Sequence, residues 1–314
     1  MFSLSTSDKR GDVLTCCQGN VYNPLTNILY AHVPQCLFSG RASTQQNDGN
    51  YAVAENKVPR EQLSVTIITL NEERNIRDCL ESVQWADEII VVDSGSMDRT
   101  IQICREYTDR IWTNPWPGMN EQKRIAMNHA AHPWILNIDA DERVPEDLRN
   151  HILKALEVRD GDGYRFPRKN YFLGKWMRHG GWYPDHVLRL FRKERGRYRG
   201  IDPHDKVIVE GKISTIPAPL VHHTYLSLSQ YVARQNTYST AAAEAIAQKG
   251  KKISPLFIPL KTFWKFIETY VVKMGFLDGF HGFVAAMGAS FTTFWKYAKS
   301  WELTRKNGRS LPLP

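Results

Sequence analysis

Three carboxylates close the run Trp134-Ile135-Leu136-Asn137-Ile138-Asp139-Ala140-Asp141-Glu142. Asp139 and Asp141, two apart where an apolar stretch ends, can both lean toward one hard cation. Oxygen ligands suit Mg²⁺ or Mn²⁺, which are commonly held by one or two carboxylates together with substrate phosphates. A structural reading competes: Asp141 and Glu142 would begin the next helix, where acids favour the first turn and Pro145 fits just inside it.

The elements that must carry these acids alternate. Residues 63–70 are β-branched and apolar, a buried first strand that stops at Asn71-Glu72-Glu73. Ile76, Cys79, Leu80 and Val83 then recur at helical spacing along one face. A second strand, residues 88–92, ends at Asp93-Ser94-Gly95-Ser96, where the small residues let the backbone approach a ligand closely. A third strand near 110–113 and a helix over about 120–131 lead into the Asp139 strand. Strand and helix in alternation predict an α/β fold with a parallel sheet and helices on both faces. Ligands in such sheets bind at the carboxyl ends of the strands. Three of these ends carry acids or amides, enough to hold a base, a ribose and a metal-bound diphosphate.

The whole chain has 314 residues and a formal net charge of +8, so an anionic partner is expected. Cys16, Cys17, Cys36, Cys79 and Cys104 show no metal-ligand spacing, and reduced thiols are the default. Residues 1–60 are polar and small, without the pattern of a signal peptide, and read as a disordered extension or as sequence upstream of the functional start. Residues 61–250 form the expected catalytic domain. Residues 251–314 are dense in Phe, Trp, Tyr and Lys, which suggests amphipathic helices lying on an anionic membrane surface. A span over Met274–Trp295 ranks second, and a plain helical subdomain is the bland alternative. No nucleic-acid module is recognisable.

Taken together, Leu70-Asn71-Glu72-Glu73, Val92-Asp93-Ser94-Gly95-Ser96, Gly118 with Gln122-Lys123, and Ile138-Asp139-Ala140-Asp141-Glu142-Arg143 resemble the family 2 glycosyltransferases. Gly181-Trp182-Tyr183-Pro184-Asp185, Arg189-Leu190-Phe191-Arg192 and Gly275-Phe276-Leu277-Asp278-Gly279-Phe280 bring the resemblance nearer to the bacterial branch that adds glucose to the inner core of lipopolysaccharide. It runs from about Leu63 to about Leu303. Met97 departs from a usual Thr, and Asp205 from a commoner Glu.

The resemblance implies a GT-A fold and inverting transfer from a nucleotide sugar, with UDP-glucose as donor and a lipid-linked saccharide as acceptor. Asn71, Glu72 and Asp93 would contact the nucleoside, and Asp139 and Asp141 would place a divalent metal ion on the diphosphate. That ion would act as a Lewis acid on the leaving group. Lys123 could add a positive contact, although beside Arg124 its helix face reads as solvated. An inverting transfer needs a base for the acceptor hydroxyl. Asp185 is the first candidate and Asp205 the second. His222 could complete the metal site or be a hydrogen-bonded structural histidine, as could His223. The expected location is peripheral, on the cytoplasmic face of the bacterial inner membrane. Two rivals remain: a catalytically silent protein that keeps the fold to bind nucleotide or membrane, and a transferase for another envelope polysaccharide. The acids kept at every strand end argue for an enzyme. A nucleotidyltransferase would carry a glycine-rich basic loop after the first strand, and Asn71-Glu72-Glu73-Arg74 is not one.

Overall fold

The structure, a computed structural model, describes residues 59–199, 206–251 and 253–307. The extension read over residues 1–60 lies outside them, save for its last two residues, and so does the candidate base Asp205.

The first half follows the alternation. β1 (Leu63–Thr69), α1 (Ile76–Glu81), β2 (Glu88–Asp93), α2 (Thr100–Cys104), β3 (Ile111–Thr113), α3 (Met119–His129) and β4 (Trp134–Asp139) succeed one another. Every residue of β1 and β2 is buried, so these strands run apolar without a two-residue rhythm, as strands covered on both faces do. β1 pairs in parallel with β2 and β4, and β2 with β3. The register sets Thr69 beside Asp93 and Ile68 beside Asp139. That alignment brings the three polar strand ends level at one edge.

The second half is mixed. β5 (Glu142–Arg143), α4 (Glu146–Val158), β6 (Gly163–Phe172), β7 (Lys175–Trp176), β8 (Asp185–Arg192), β9 (Gly196–Arg199), β10 (Lys206–Val209), β11 (Ile213–Thr215) and β12 (Leu220–Tyr225) follow. The main sheet runs β3-β2-β1-β4-β8-β6-β12-β5, with β7 and β11 also on β6, while β9 and β10 form a separate ribbon. β8 lies antiparallel between β4 and β6. The helix expected to begin at Asp141-Glu142 begins instead at Glu146, behind Pro145. Glu142 and Arg143 pair with His222 and Val221 as a short strand, and this pairing draws His222 to the acids.

Helices cover both faces of the sheet. Leu63, Val65 and Ile67 pack with Ile76 and Leu80 of α1 and with Leu148 and Ile152 of α4. Ile68, Ile90 and Val92 pack with Ala126 and Met127 of α3. Cys79 and Cys104 are free and buried among the apolar residues.

The chain then turns helical with α5 (Leu228–Gln248), α6 (Phe257–Ile267), a π-turn (Glu268–Val272), a 3₁₀ turn (Gly275–Asp278) and α7 (Gly279–Asn307). Ser227 caps α5 by accepting from the Gln230 N–H at 3.1 Å. Phe172, Met177, Tyr225, Tyr231 and Ala285 join sheet and helices in one apolar cluster. Asp278 is the polar fastening: its Oδ2 accepts the backbone N–H groups of Arg178 at 3.0 Å and His179 at 2.8 Å. A Cβ on Gly288 would come within 2.2 Å of the Tyr231 hydroxyl, so glycine there permits close packing of α7. Among the described residues no helix is long and apolar enough to cross a membrane, which sets aside the span over Met274–Trp295.

Candidate active site

The loops after β1 and β2 hold each other. Asn71 sits in the left-handed region at φ 54°, which asparagine tolerates better than most residues. Its Oδ1 accepts from the Met97 N–H at 2.9 Å, and its own N–H donates to Ser96 Oγ at 2.8 Å. Met97, where the resemblance leads one to expect Thr, is itself 91% exposed, and its contact with Asn71 runs through its backbone N–H. The Glu72 carboxylate accepts from Asn75 Nδ2 at 2.8 Å, and burial, with help from Asp141, raises its pKa. Asp93 is buried and turned into its own turn, accepting from the N–H groups of Gly95 and Ser96 at 2.8 and 2.7 Å and from Ser96 Oγ at 2.5 Å. A cavity of about 330 Å³ opens beside these loops, lined by Asn71, Glu72, Asn75, Asp98 and, from the start of α5, Gln230.

Asp139 does not stand open. Lys123 Nζ lies 2.8 Å from its Oδ1, and Arg189 Nη2 lies 2.5 Å from its Oδ2. Burial alone would raise its pKa, but Arg189 and Lys123 outweigh that and hold it well below the usual carboxylate range. Lys123 is therefore not on a solvated face, contrary to the expectation from its neighbour Arg124. It is 6% exposed, next to the fully buried Gln122, whose Nε2 donates to Ser94 Oγ at 3.0 Å and to the Asn114 carbonyl at 3.1 Å. The inner face of α3 is polar where it meets the strand ends.

From Arg189 the network continues in alternating charge. Arg189 Nη2 also meets the fully buried Glu142 at 2.6 Å, and Arg168 Nη1 reaches the same Glu142 oxygen at 3.2 Å. Arg168 binds Asp185 Oδ2 through Nε at 2.9 Å and Nη2 at 2.5 Å, a cross-strand pair of β6 and β8. Burial would push the Asp185 carboxyl up, but Arg168 leads the groups that hold it below the usual value. Asn170, two residues along β6, donates to Asp185 Oδ2 at 3.3 Å and to the Trp182 carbonyl at 3.0 Å. Its Oδ1 then faces His222 Nδ1 at 2.6 Å, and His222 Nε2 faces Asp141 Oδ2 at 3.4 Å. Charges this deep are tolerable because each has a partner.

Two acceptors for Asn170 Nδ2 fix its amide orientation, so Oδ1 must take the proton on His222 Nδ1. The Nε2 lone pair then points toward Asp141, an arrangement that fits a divalent cation between imidazole and carboxylate. Among the described residues no three His, Cys, Asp or Glu side chains gather closely enough to cage a metal alone. A Mg²⁺ or Mn²⁺ site does not require that, since waters and substrate phosphates fill the remaining positions. Asp141 and His222 fit such a site; Asp139, tied to Lys123 and Arg189, stands beside it.

The structure thus gathers Asp139, Asp141, Asp185, His222 and Lys123 into one network and places Asn71 and Glu72 on the cavity next to it. Asp93 braces the neighbouring turn. Sequence reasoning missed the roles of Arg168, Asn170, Glu142 and Arg189. A usable signal existed in Val187-Leu188-Arg189-Leu190-Phe191, where one cation interrupts an apolar strand. It also missed Arg234, half-buried on α5 one turn after Gln230, with its guanidinium 5.5 Å from the Tyr225 ring centroid. Its charge acts on both Glu72 and Asp141, and it forms no ion pair with a described carboxylate.

Residues 64–209 match the family model described as glycosyl transferase family 2. The lipopolysaccharide core biosynthesis glycosyltransferase LpsC of Rhizobium meliloti (strain 1021) is 32% identical over 266 residues, covering 78% of this chain and 94% of that protein. Among solved structures, S. aureus TarS 1–349 in complex with UDP matches with a TM-score of 0.40 at 13% identity, over 79% of this chain and 91% of that one. The mannosyltransferase PcManGT from Pyrobaculum calidifontis, in complex with GDP-Man and Mn²⁺, matches with a TM-score of 0.41 at 15% identity, over 83% and 90%. The sequence match to LpsC, joined to an α/β sheet whose parallel strands end in acids, is decisive: this chain belongs to the family 2 glycosyltransferases, with a GT-A fold, and is a transferase related to a lipopolysaccharide core enzyme.

Proposed function

We propose that the protein transfers a hexose, glucose from UDP-glucose, with inversion onto an inner-core sugar of a lipid-linked lipopolysaccharide precursor. The observation that carries this reading is one network joining Asp185 to the Asp141–His222 pair beside a cavity at the strand ends. The loop Asn71–Asn75 and the turn braced by Asp93 hold the nucleoside, and Asp139 and Lys123 flank the ribose and diphosphate. Asp141 and His222 hold Mg²⁺ or Mn²⁺, which supplies Lewis-acid stabilisation of the leaving diphosphate. Arg234 adds a second positive charge from the α5 side. Asp185 takes the proton of the acceptor hydroxyl. Its hydrogen bonds from described residues all fall on Oδ2, which leaves Oδ1 to accept.

The same proposal divides the chain into a GT-A domain over 61–250 and a membrane-associating region over 251–314, at the cytoplasmic face of a bacterial inner membrane. Supporting it, Phe263, Trp264, Phe276, Phe280 and Trp295 are all exposed. Exposed apolar area on this scale marks an interaction surface. Their mixture with lysines suits an anionic leaflet. A panel of UDP- and GDP-sugars with candidate acceptors, read by released nucleoside diphosphate, tests the reaction. Acceptor-dependent turnover of UDP-glucose is expected. Turnover confined to another donor, or independent of a lipopolysaccharide-type acceptor, would replace the assignment.

A further inference from the structure

α6 is an apolar helix with little to cover it. Phe257, Leu260 and Trp264 are each more than half exposed, and Ile258 is its buried residue. Phe257, Leu260, Lys261, Trp264 and Lys265 recur at helical spacing, so they share one face. Across from them, α7 presents Thr293, Lys296 and Tyr297, and the two helices enclose a groove of about 470 Å³. Lys261 Nζ and Lys296 Nζ lie 5.1 and 4.5 Å from the centroid of the same Tyr297 ring. Neither makes an ion pair with a described carboxylate, whereas Lys265 is held by Glu268 at 3.0 Å. Both ammonium groups lie within cation–π reach of this ring, which does not neutralise their charge. An anion in the groove that both lysines line would offset their charge, and the apolar wall beside it suits an amphiphile rather than a free ion.

We propose that the groove between α6 and α7 is a discrete binding site for the phosphate headgroup of an anionic phospholipid. Lys261 and Lys296 take the phosphate, and Phe257, Leu260 and Trp264 take the start of the acyl chains. This rests on the membrane reading above and adds to it a defined site where diffuse attraction would otherwise suffice.

The test is co-sedimentation of the full chain with phosphatidylcholine vesicles, with and without phosphatidylglycerol. Wild type should bind the anionic vesicles in preference. Diffuse attraction is worth about fivefold in partitioning per lysine at a membrane surface, so Lys261→Gln/Lys296→Gln should weaken binding by more than the roughly 25-fold that two such lysines give. Lys249→Gln/Lys251→Gln removes the same charge from exposed lysines outside the groove and should weaken binding by no more than that diffuse, roughly 25-fold amount. Circular dichroism checks that both variants are folded. Equal losses in the two variants overturn the groove and leave the membrane reading standing. Failure of wild type to bind anionic vesicles overturns the membrane reading, and the groove with it.

Discussion

In the sheet half of the molecule, the groups that break the ordinary rule of burial are charges. Glu142 is fully buried, Arg189 is 8% exposed, and Asp139 is locked between a lysine and an arginine. In the helical half they are aromatics and aliphatics: Leu256 is 85% exposed and Phe280 75%. Buried charge is costly unless paired, and exposed apolar surface is unfavourable unless something covers it. On the function proposed above, these exceptions mark two different partners, a charged small molecule at the strand ends and an apolar, anionic surface at the helices. Asp278 and the Phe172 cluster join the two, Asp278 by binding the loop that leads to Asp185.

The largest effects separate core from site. Phe172 is fully buried at the seam, against Tyr225 and Tyr231, and Phe172→Ala should cost about 3–5 kcal/mol in denaturant unfolding. A cost below about 1 kcal/mol would mean that the seam is loose and the halves independent. For the metal, Asp141→Asn is cleaner than Asp139→Ala, because removing Asp139 leaves the buried Lys123 without its carboxylate and Arg189 with Glu142 alone, a cost on the order of 3–5 kcal/mol. Asp141→Asn should lower turnover at least about a thousandfold, several kcal/mol of lost charge stabilisation, with vesicle binding unchanged. Turnover that persists in this variant and in excess EDTA would remove the cation from the mechanism.

Asp185→Asn should bind donor normally and lose at least about a hundredfold in turnover, the low end for a general base. Arg168 keeps its contact with Glu142 in that variant, so the network survives and the loss reads as chemistry. Near wild-type turnover, with the loss appearing in Asp205→Asn, would move the base downstream.

Strands β1, β2 and β4 and their acidic ends were legible in the sequence because fully buried parallel strands are unbroken apolar runs. The solvated-face alternative for Lys123 fails for a physical reason: helix periodicity assigns polar residues to water, and α3 turns Gln122 and Lys123 inward to meet other polar groups. The segment Gly163–Phe172 gave no recognisable strand, since Arg168 and Asn170 alternate into the site where a core strand would carry apolar residues. Glu142 looked like a helix start because its partner, His222, lies far along the chain, and no local signal announces a long-range pairing. The aromatic character of the helical half was legible from composition, whereas the groove at Tyr297 needed two helices packed together.

The smallest expected effect is the sharpest contrast between the halves. Phe280 is as large as Phe172, yet it opens α7 at 75% exposure, ring-stacked on Phe283 with centroids 6.3 Å apart. An exposed side chain has little buried area to lose, so Phe280→Ser should change folding stability by no more than about 0.5 kcal/mol. Partitioning to anionic vesicles should nonetheless fall, because the ring reaches apolar surroundings in the bound state alone. Salt separates this contribution from that of the lysines. At about 1 M the Debye length is near 3 Å, so electrostatic attraction is screened while apolar burial is not. The variant should therefore lose most of the residual, salt-resistant binding and less of the salt-sensitive part. A stability loss of several kcal/mol would show instead that Phe280 is covered in the free protein and that the helical half is an ordinary folded subdomain.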